Sequence, residues 1–136
     1  MKTRILLIDD DAPFRNMFTA ILTQAGYGVR EAANGAEGMA CLNREAFDVV
    51  LTDIFMPEQD GIETILRIRQ AFPLLPVIAI SGGSVLGEAE DYLRVAERLG
   101  AAKVLLKPFS RDELLAAITE VCPFPQDTTR SRPDAP

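Results

Sequence analysis

The chain has 136 residues, 48% apolar and 25% charged, which fits one globular domain with a single core. No apolar run approaches the roughly 20 residues that span a bilayer, and a net charge of −6 argues against nonspecific nucleic-acid binding. The absence of histidine removes His-based triads and His-ligated metal sites, and the two cysteines, Cys41 and Cys122, lack metal or redox spacing and read as small buried hydrophobes.

Met1-Lys2-Thr3-Arg4 leads into Ile5-Leu6-Leu7-Ile8, which Asp9 cuts short with no cleavage site after it, so a cytoplasmic location is expected. Arg4–Ile8 is a continuous apolar run, as in a strand buried on both faces. Asp11 then caps a helix with Pro13 in its first turn. Phe14, Met17, Phe18, Ile21 and Leu22 repeat at helical spacing until Gly26 closes it. Val29–Ala32 is a weaker strand, expected at a sheet edge, and Asn34 starts a short helix with Ala36, Met39 and Ala40 on its inner face. Phe47–Thr52 is a third strand. Asp60 with Glu63 resembles a capping box, opening a helix with Ile62, Ile65, Leu66 and Arg69 on one side. Pro76–Ile80 is a fourth strand, Glu88–Leu99 a helix stopped by Gly100, and Lys103–Leu106 a fifth strand. Ser110 and Glu113 form a capping box for a last helix that buries Leu114, Ala117, Ile118 and Val121.

The expected fold is α/β, a (βα) unit five times over: a doubly wound parallel five-stranded sheet covered by helices on both faces. Residues 1–122 form the domain, and 123–136, with Pro123, Pro125, Pro133 and Pro136 among polar residues, read as a disordered tail.

In an open parallel sheet, ligands bind beyond the carboxyl ends of the strands. Four strands here run into polar residues at that end: Asp9-Asp10, Asp53, Ser81 and Lys107. A lone Asp at a strand end is usually a turn or a cap, which suits Asp11 and Asp60. Asp9, Asp10 and Asp53 all follow apolar strands, and their mutual repulsion calls for a cation. An oxygen-lined site without histidine suits Mg²⁺. Lys107 adds a point charge and Ser81 a hydroxyl, so a phosphoryl group on Asp53 would be held by metal, ammonium and hydroxyl together. Gly82, Gly83 and Gly87 lack the Gly-Lys-Ser/Thr of a phosphate loop.

Met1 to Cys122 resembles the receiver domain of bacterial two-component response regulators. The resemblance rests on Ile5–Asp11, Val49–Pro57, Asp60-Gly61, Ile80–Gly83 and Leu105–Phe109, in order and spacing. It implies the flavodoxin-like sheet order 2-1-3-4-5 and a cis bond before Pro108. It also implies Asp53 as phosphoacceptor, Asp10 as direct Mg²⁺ ligand beside Asp9, the Phe55 backbone carbonyl as a further ligand, and Ser81 and Lys107 as the hydroxyl and lysine. The implied activity is a stand-alone signalling switch that assists its own phosphorylation and dephosphorylation. Its donor would be a histidine kinase or a histidine phosphotransfer protein. Output would pass to a downstream protein or a homodimer through the predicted helix 88–99, the fifth strand and the last helix. No direct nucleic-acid or membrane partner is expected.

One departure concerns Val104, where the family usually carries an aromatic switch residue three positions before the lysine. The expected change is therefore shallower, or carried by the loop Gly82–Gly87. Val104 also motivates an alternative, a phosphorylation-independent interaction module. A turnover phosphohydrolase is disfavoured because Phe55 stands where a second carboxylate would act as general acid. A flavin site is disfavoured because Asp9-Asp10 would repel its phosphate.

Overall fold

Period-two alternation inside continuous apolar runs gives this chain a sheet with two covered faces. The computed structural model describes residues 2–54, 61–81, 94, 97, 98 and 100–122. These form β1 (Arg4–Ile8), α1 (Ala12–Gln24), β2 (Gly28–Ala32), α2 (Gly35–Arg44), β3 (Val49–Asp53), α3 (Gly61–Ala71), β4 (Val77–Ser81), β5 (Lys103–Leu106) and α4 (Arg111–Val121). All pairings are parallel, in the order β2-β1-β3-β4-β5, which is the flavodoxin-like order the family resemblance implied.

Ile5 and Leu7 of β1 face one core with Val49, Leu51, Ile78 and Ile80, covered by Phe18 and Leu22 of α1 and by Leu114 and Ile118 of α4. Leu6 and Ile8 face the other with Val50, Val77 and Ala79, covered by Cys41 and Leu42 of α2 and by Ile65 and Ile68 of α3. Each fully buried aliphatic side chain contributes roughly 1.5–3 kcal/mol, and β1, β3 and β4 carry them on both faces. The edge position expected of β2 is observed.

Asp11 caps α1 by accepting from the Phe14 N–H, and Asn34 caps α2 by accepting from the Glu37 N–H. The Ser110–Glu113 capping box is complete. Gly26 ends the α1 turn at φ 101°, a left-handed conformation that favours glycine. Strands β3 and β4 end one residue later than predicted, so Asp53 and Ser81 are their last residues.

Three helix faces differ from the sequence reading. Helix α2 turns Gly35, Gly38, Cys41 and Leu42 inward, and Ala36 and Ala40 are exposed. A Cβ on Gly38 would stand 2.4 Å from Ile8 Cδ1, so α2 packs on β1 along its glycine edge, which hydrophobic periodicity does not mark. Met17 of α1 and Leu66 of α3 point outward, because Phe18 and Leu22 in one helix and Thr64, Ile65 and Ile68 in the other complete the buried stripes. Of the predicted helix 88–99, Arg94, Glu97 and Arg98 are helical. Its remaining residues, the Asp60 cap, Phe55, the loop Gly82–Gly87 and the tail 123–136 lie outside the described residues.

Candidate functional site

Sheet register brings the polar strand ends together. β1 and β3 pair through Ile8 and Thr52, so the next residues, Asp9 and Asp53, leave the sheet as neighbours. Asp53 pairs with Ile80 of β4, Ser81 pairs with Leu106 of β5, and Lys107 follows directly. The Lys107 N–H donates to the Ser81 carbonyl at 2.8 Å, and the bond from Lys107 to Pro108 is cis. Asp9, Asp53 and Ser81 are buried, whereas Asp10 is exposed.

One carboxylate oxygen from each of Asp9, Asp10 and Asp53 lies within 4.8 Å of the others. Lys107 Nζ donates to Asp9 Oδ2 at 3.2 Å and to Asp53 Oδ2 at 3.3 Å. Asp9 Oδ1 accepts the Asp11 N–H at 2.9 Å, which orients that carboxylate. Among these four side chains, three carboxylates face one ammonium.

That donor set fits a small hard cation. All three groups offer oxygen, the ligand type such a cation prefers. Two of the three, Asp9 and Asp53, are buried, so a cation there would offset carboxylates that water solvates little. The structure therefore brings together Asp9, Asp10, Asp53 and Lys107 and places Ser81 at the adjacent strand end. Phe55, the remaining expected ligand, lies outside the described residues.

Gly61 is part of the same construction. Its N–H donates to the Ile54 carbonyl at 2.9 Å, and a Cβ there would stand 2.3 Å from the Asp53 carbonyl oxygen. Only glycine lets α3 begin this close to the end of β3.

Two contributors were not singled out in the sequence. Arg15 donates from Nη1 to the Asp9 carbonyl at 2.7 Å and from Nε to Glu31 Oε1 at 3.1 Å, and Glu31 also accepts from Thr19 Oγ1. A cation in the first turn of a helix opposes the macrodipole, which is the signal that marks Arg15 as held by something outside α1. Phe14 belongs by spacing to the packing face of α1, and its ring also lies beneath Lys107 Nζ, 4.0 Å from the centroid. Nothing in local spacing reports that contact.

The response regulator receiver domain family matches residues 5–119. The chain belongs to that family. Among curated relatives, it is 35% identical over 116 residues to the transcriptional regulatory protein GlrR of Escherichia coli K12, covering 85% of this chain and 25% of that protein. The chain thus spans about a quarter of the length of the first curated relatives it matches. Among solved structures, a CheY-like receiver domain protein from Methanospirillum hungatei superposes with a TM-score of 0.80 at 30% identity, covering 88% of this chain and 93% of that one. The chemotaxis protein CheY4 of Vibrio cholerae superposes with a TM-score of 0.81 at 28% identity, covering 89% and 99%. The family is one of signalling switches in two-component systems. Among the described residues, no helix is long and apolar enough to cross a membrane.

Proposed function

We propose that this receiver is a Mg²⁺-dependent switch that accepts a phosphoryl group on Asp53 from a phosphohistidine on a histidine kinase or histidine phosphotransfer protein. What supports the reading is the meeting of three carboxylates with a single ammonium, Lys107 standing 3.2 Å from Asp9 and 3.3 Å from Asp53.

Asp9 and Asp10, with Asp53 and the Phe55 backbone carbonyl, are the residues that would hold Mg²⁺. Bound there, the ion supplies the charge that offsets phosphoryl oxygens approaching an acidic pocket. An Asp53 carboxylate oxygen attacks phosphorus and forms the O–P bond as the P–N bond to the donor imidazole breaks. The electron pair leaves on the imidazole nitrogen, and with a proton on the ring's other nitrogen the donor departs as neutral imidazole. Lys107 moves its hydrogen bonding from carboxylate to phosphoryl oxygen, and the Ser81 hydroxyl donates to another oxygen of that group. The state ends when water attacks phosphorus, the O–P bond breaks and inorganic phosphate leaves the restored Asp53 carboxylate, so the product is a signalling state that biases a two-state equilibrium. Output then passes to a protein partner or a second copy through the face that includes β5 and α4.

A second reading, a docking module independent of phosphorylation, is favoured by Val104. It is half-buried against the α2–α3 core and has no ring to swing. That reading expects Asp53→Ala to bind partners as the wild type does. The proposed function is tested by incubation with Mg²⁺ and acetyl phosphate followed by intact mass. A mass gain of one phosphoryl group, lost in Asp53→Asn, is expected; no gain, or an equal gain in Asp53→Asn, overturns it.

A further inference from the structure

We propose that Phe14 is a positioning residue for Lys107, its ring face fixing the ammonium over the carboxylate cluster through a stack of three rings. The inference rests on the phosphoacceptor reading and adds to it a residue outside the acidic, hydroxyl and lysine set.

An ammonium has three N–H donors. Two directions are taken by Asp9 Oδ2 at 3.2 Å and Asp53 Oδ2 at 3.3 Å, both longer than the roughly 2.7–2.9 Å usual for charge-assisted bonds. The Phe14 ring lies 4.0 Å from the nitrogen, well inside the ~6 Å range of cation–π attraction. The nitrogen thus has three partners, two carboxylates at long hydrogen-bond distance and the ring, and the ring is the neutral one among them. The lysine side chain is only 10% exposed, so water screens this contact little.

The ring is itself held. Phe14 stacks on Phe18 at 5.7 Å between centroids, and Phe18 stacks on Phe109 at 5.2 Å with an interplanar angle of 18°. Phe18 is 3% exposed and belongs to the core between α1, α4 and the sheet. Phe14 follows the acidic pair, and Phe109 follows Lys107. The stack therefore ties the segment carrying Asp9 and Asp10 to the segment carrying Lys107 through a second, apolar set of contacts. A neutral ring also does not compete with the cluster: when a cation draws on Asp9 and Asp53, the lysine keeps one partner that a metal does not take. Phosphoryl oxygens then meet an ammonium already in place.

Two measurements test this together. In proton NMR, the chain's lysines are Lys2, Lys103 and Lys107, and protons over an aromatic face move upfield. The Lys107 ε-methylene is expected upfield of the other two in the wild type and in Phe14→Tyr, and at an ordinary position in Phe14→Leu. With Mg²⁺ and acetyl phosphate, Phe14→Leu should lower the maximal rate of phosphoryl uptake by roughly five- to thirtyfold, the scale of a desolvated cation–π contact. The half-saturating donor concentration should stay unchanged, and Phe14→Tyr should restore the rate. In a Lys107→Met background the same change should have no further effect. An unshifted Lys107 in the wild type, or a loss of equal size in the Lys107→Met background, overturns the positioning role. So does a Phe14→Leu protein that is folded and reacts at the wild-type rate, while leaving the phosphoacceptor reading intact. A wild type that takes no phosphoryl group overturns that reading and the rate claim with it.

Discussion

Lys107 Nζ stands 3.3 Å from Asp53 Oδ2, with only 10% of the lysine side chain and 7% of the aspartate side chain exposed. Removing one member of such a pair leaves an uncompensated buried charge, at a cost of roughly 3–5 kcal/mol. Lys107→Met should accordingly lower metal-free stability by about 3 kcal/mol. It also removes the cation that competes with a metal for Asp9 and Asp53. The rise in Tm on adding Mg²⁺ should therefore be larger in Lys107→Met than in the wild type, read from thermal melts with and without the ion.

Gly61 and Gly38 should respond differently to alanine. At Gly61 the added methyl would meet backbone, 2.3 Å from the Asp53 oxygen and 2.4 Å from the Ile54 Cα, which cannot step aside without moving the end of β3. Gly61→Ala should cost about 3 kcal/mol, the upper range for overpacking. At Gly38 the methyl meets Ile8 Cδ1, the far end of a side chain. Ile8 is fully buried and has little room to turn, but a side chain gives more easily than backbone, and the ~1 kcal/mol helix preference of alanine over glycine offsets part of the clash. Gly38→Ala should cost less than Gly61→Ala, about 1–2 kcal/mol in urea unfolding.

Glu45 accepts from Arg4 and pairs with Arg30, and these contacts, the Arg4 hydrogen bond foremost, hold its carboxyl below the usual glutamate value. A carboxyl whose folded pKa is depressed stabilises above its unfolded pKa and loses that contribution as pH falls through the folded one. Glu45→Gln should therefore differ from the wild type most at neutral pH. The two should converge as pH falls below the glutamate range, measured as the urea midpoint against pH. A gap that widens on acidification would contradict this assignment.

Ser110 caps α4 by accepting the Glu113 N–H at 3.0 Å, while Glu113 Oε1 accepts the Ser110 N–H at 2.8 Å. Ser110→Ala should cost roughly 1 kcal/mol, typical of a lost N-cap. Because α4 begins four residues after Lys107, the same variant should weaken the packing of Phe109 on Phe18, visible as a loss of near-ultraviolet dichroism.

The sequence carried the strands clearly, because buried parallel strands are dense apolar runs, and Ile5–Ile8, Val49–Leu51 and Val77–Ile80 have no helical competitor. It also carried Asp9, Asp10, Asp53 and Lys107, since four polar residues closing apolar strands must meet at one edge of a parallel sheet. Helix faces were less legible. Hydrophobic periodicity weights Met17 and Leu66 as core, yet depth is set by neighbours already filling the site. In α2 the first half of the inner edge is glycine, Gly35 and Gly38, which no hydrophobicity pattern marks. Phe14 and Arg15 were missed for a different reason: their partners, Lys107, Asp9 and Glu31, are brought close by the fold, and spacing along α1 reports only its own packing stripe.

The central claim, a phosphoryl group carried by one carboxylate, is tested most directly by locating the bond. After reaction with Mg²⁺ and acetyl phosphate, borohydride reduces an aspartyl phosphate to homoserine, which peptide sequencing can place. Homoserine at position 53 and nowhere else is the expected result. Homoserine at Asp9 or Asp10, or none from a protein shown to be folded, would contradict the account.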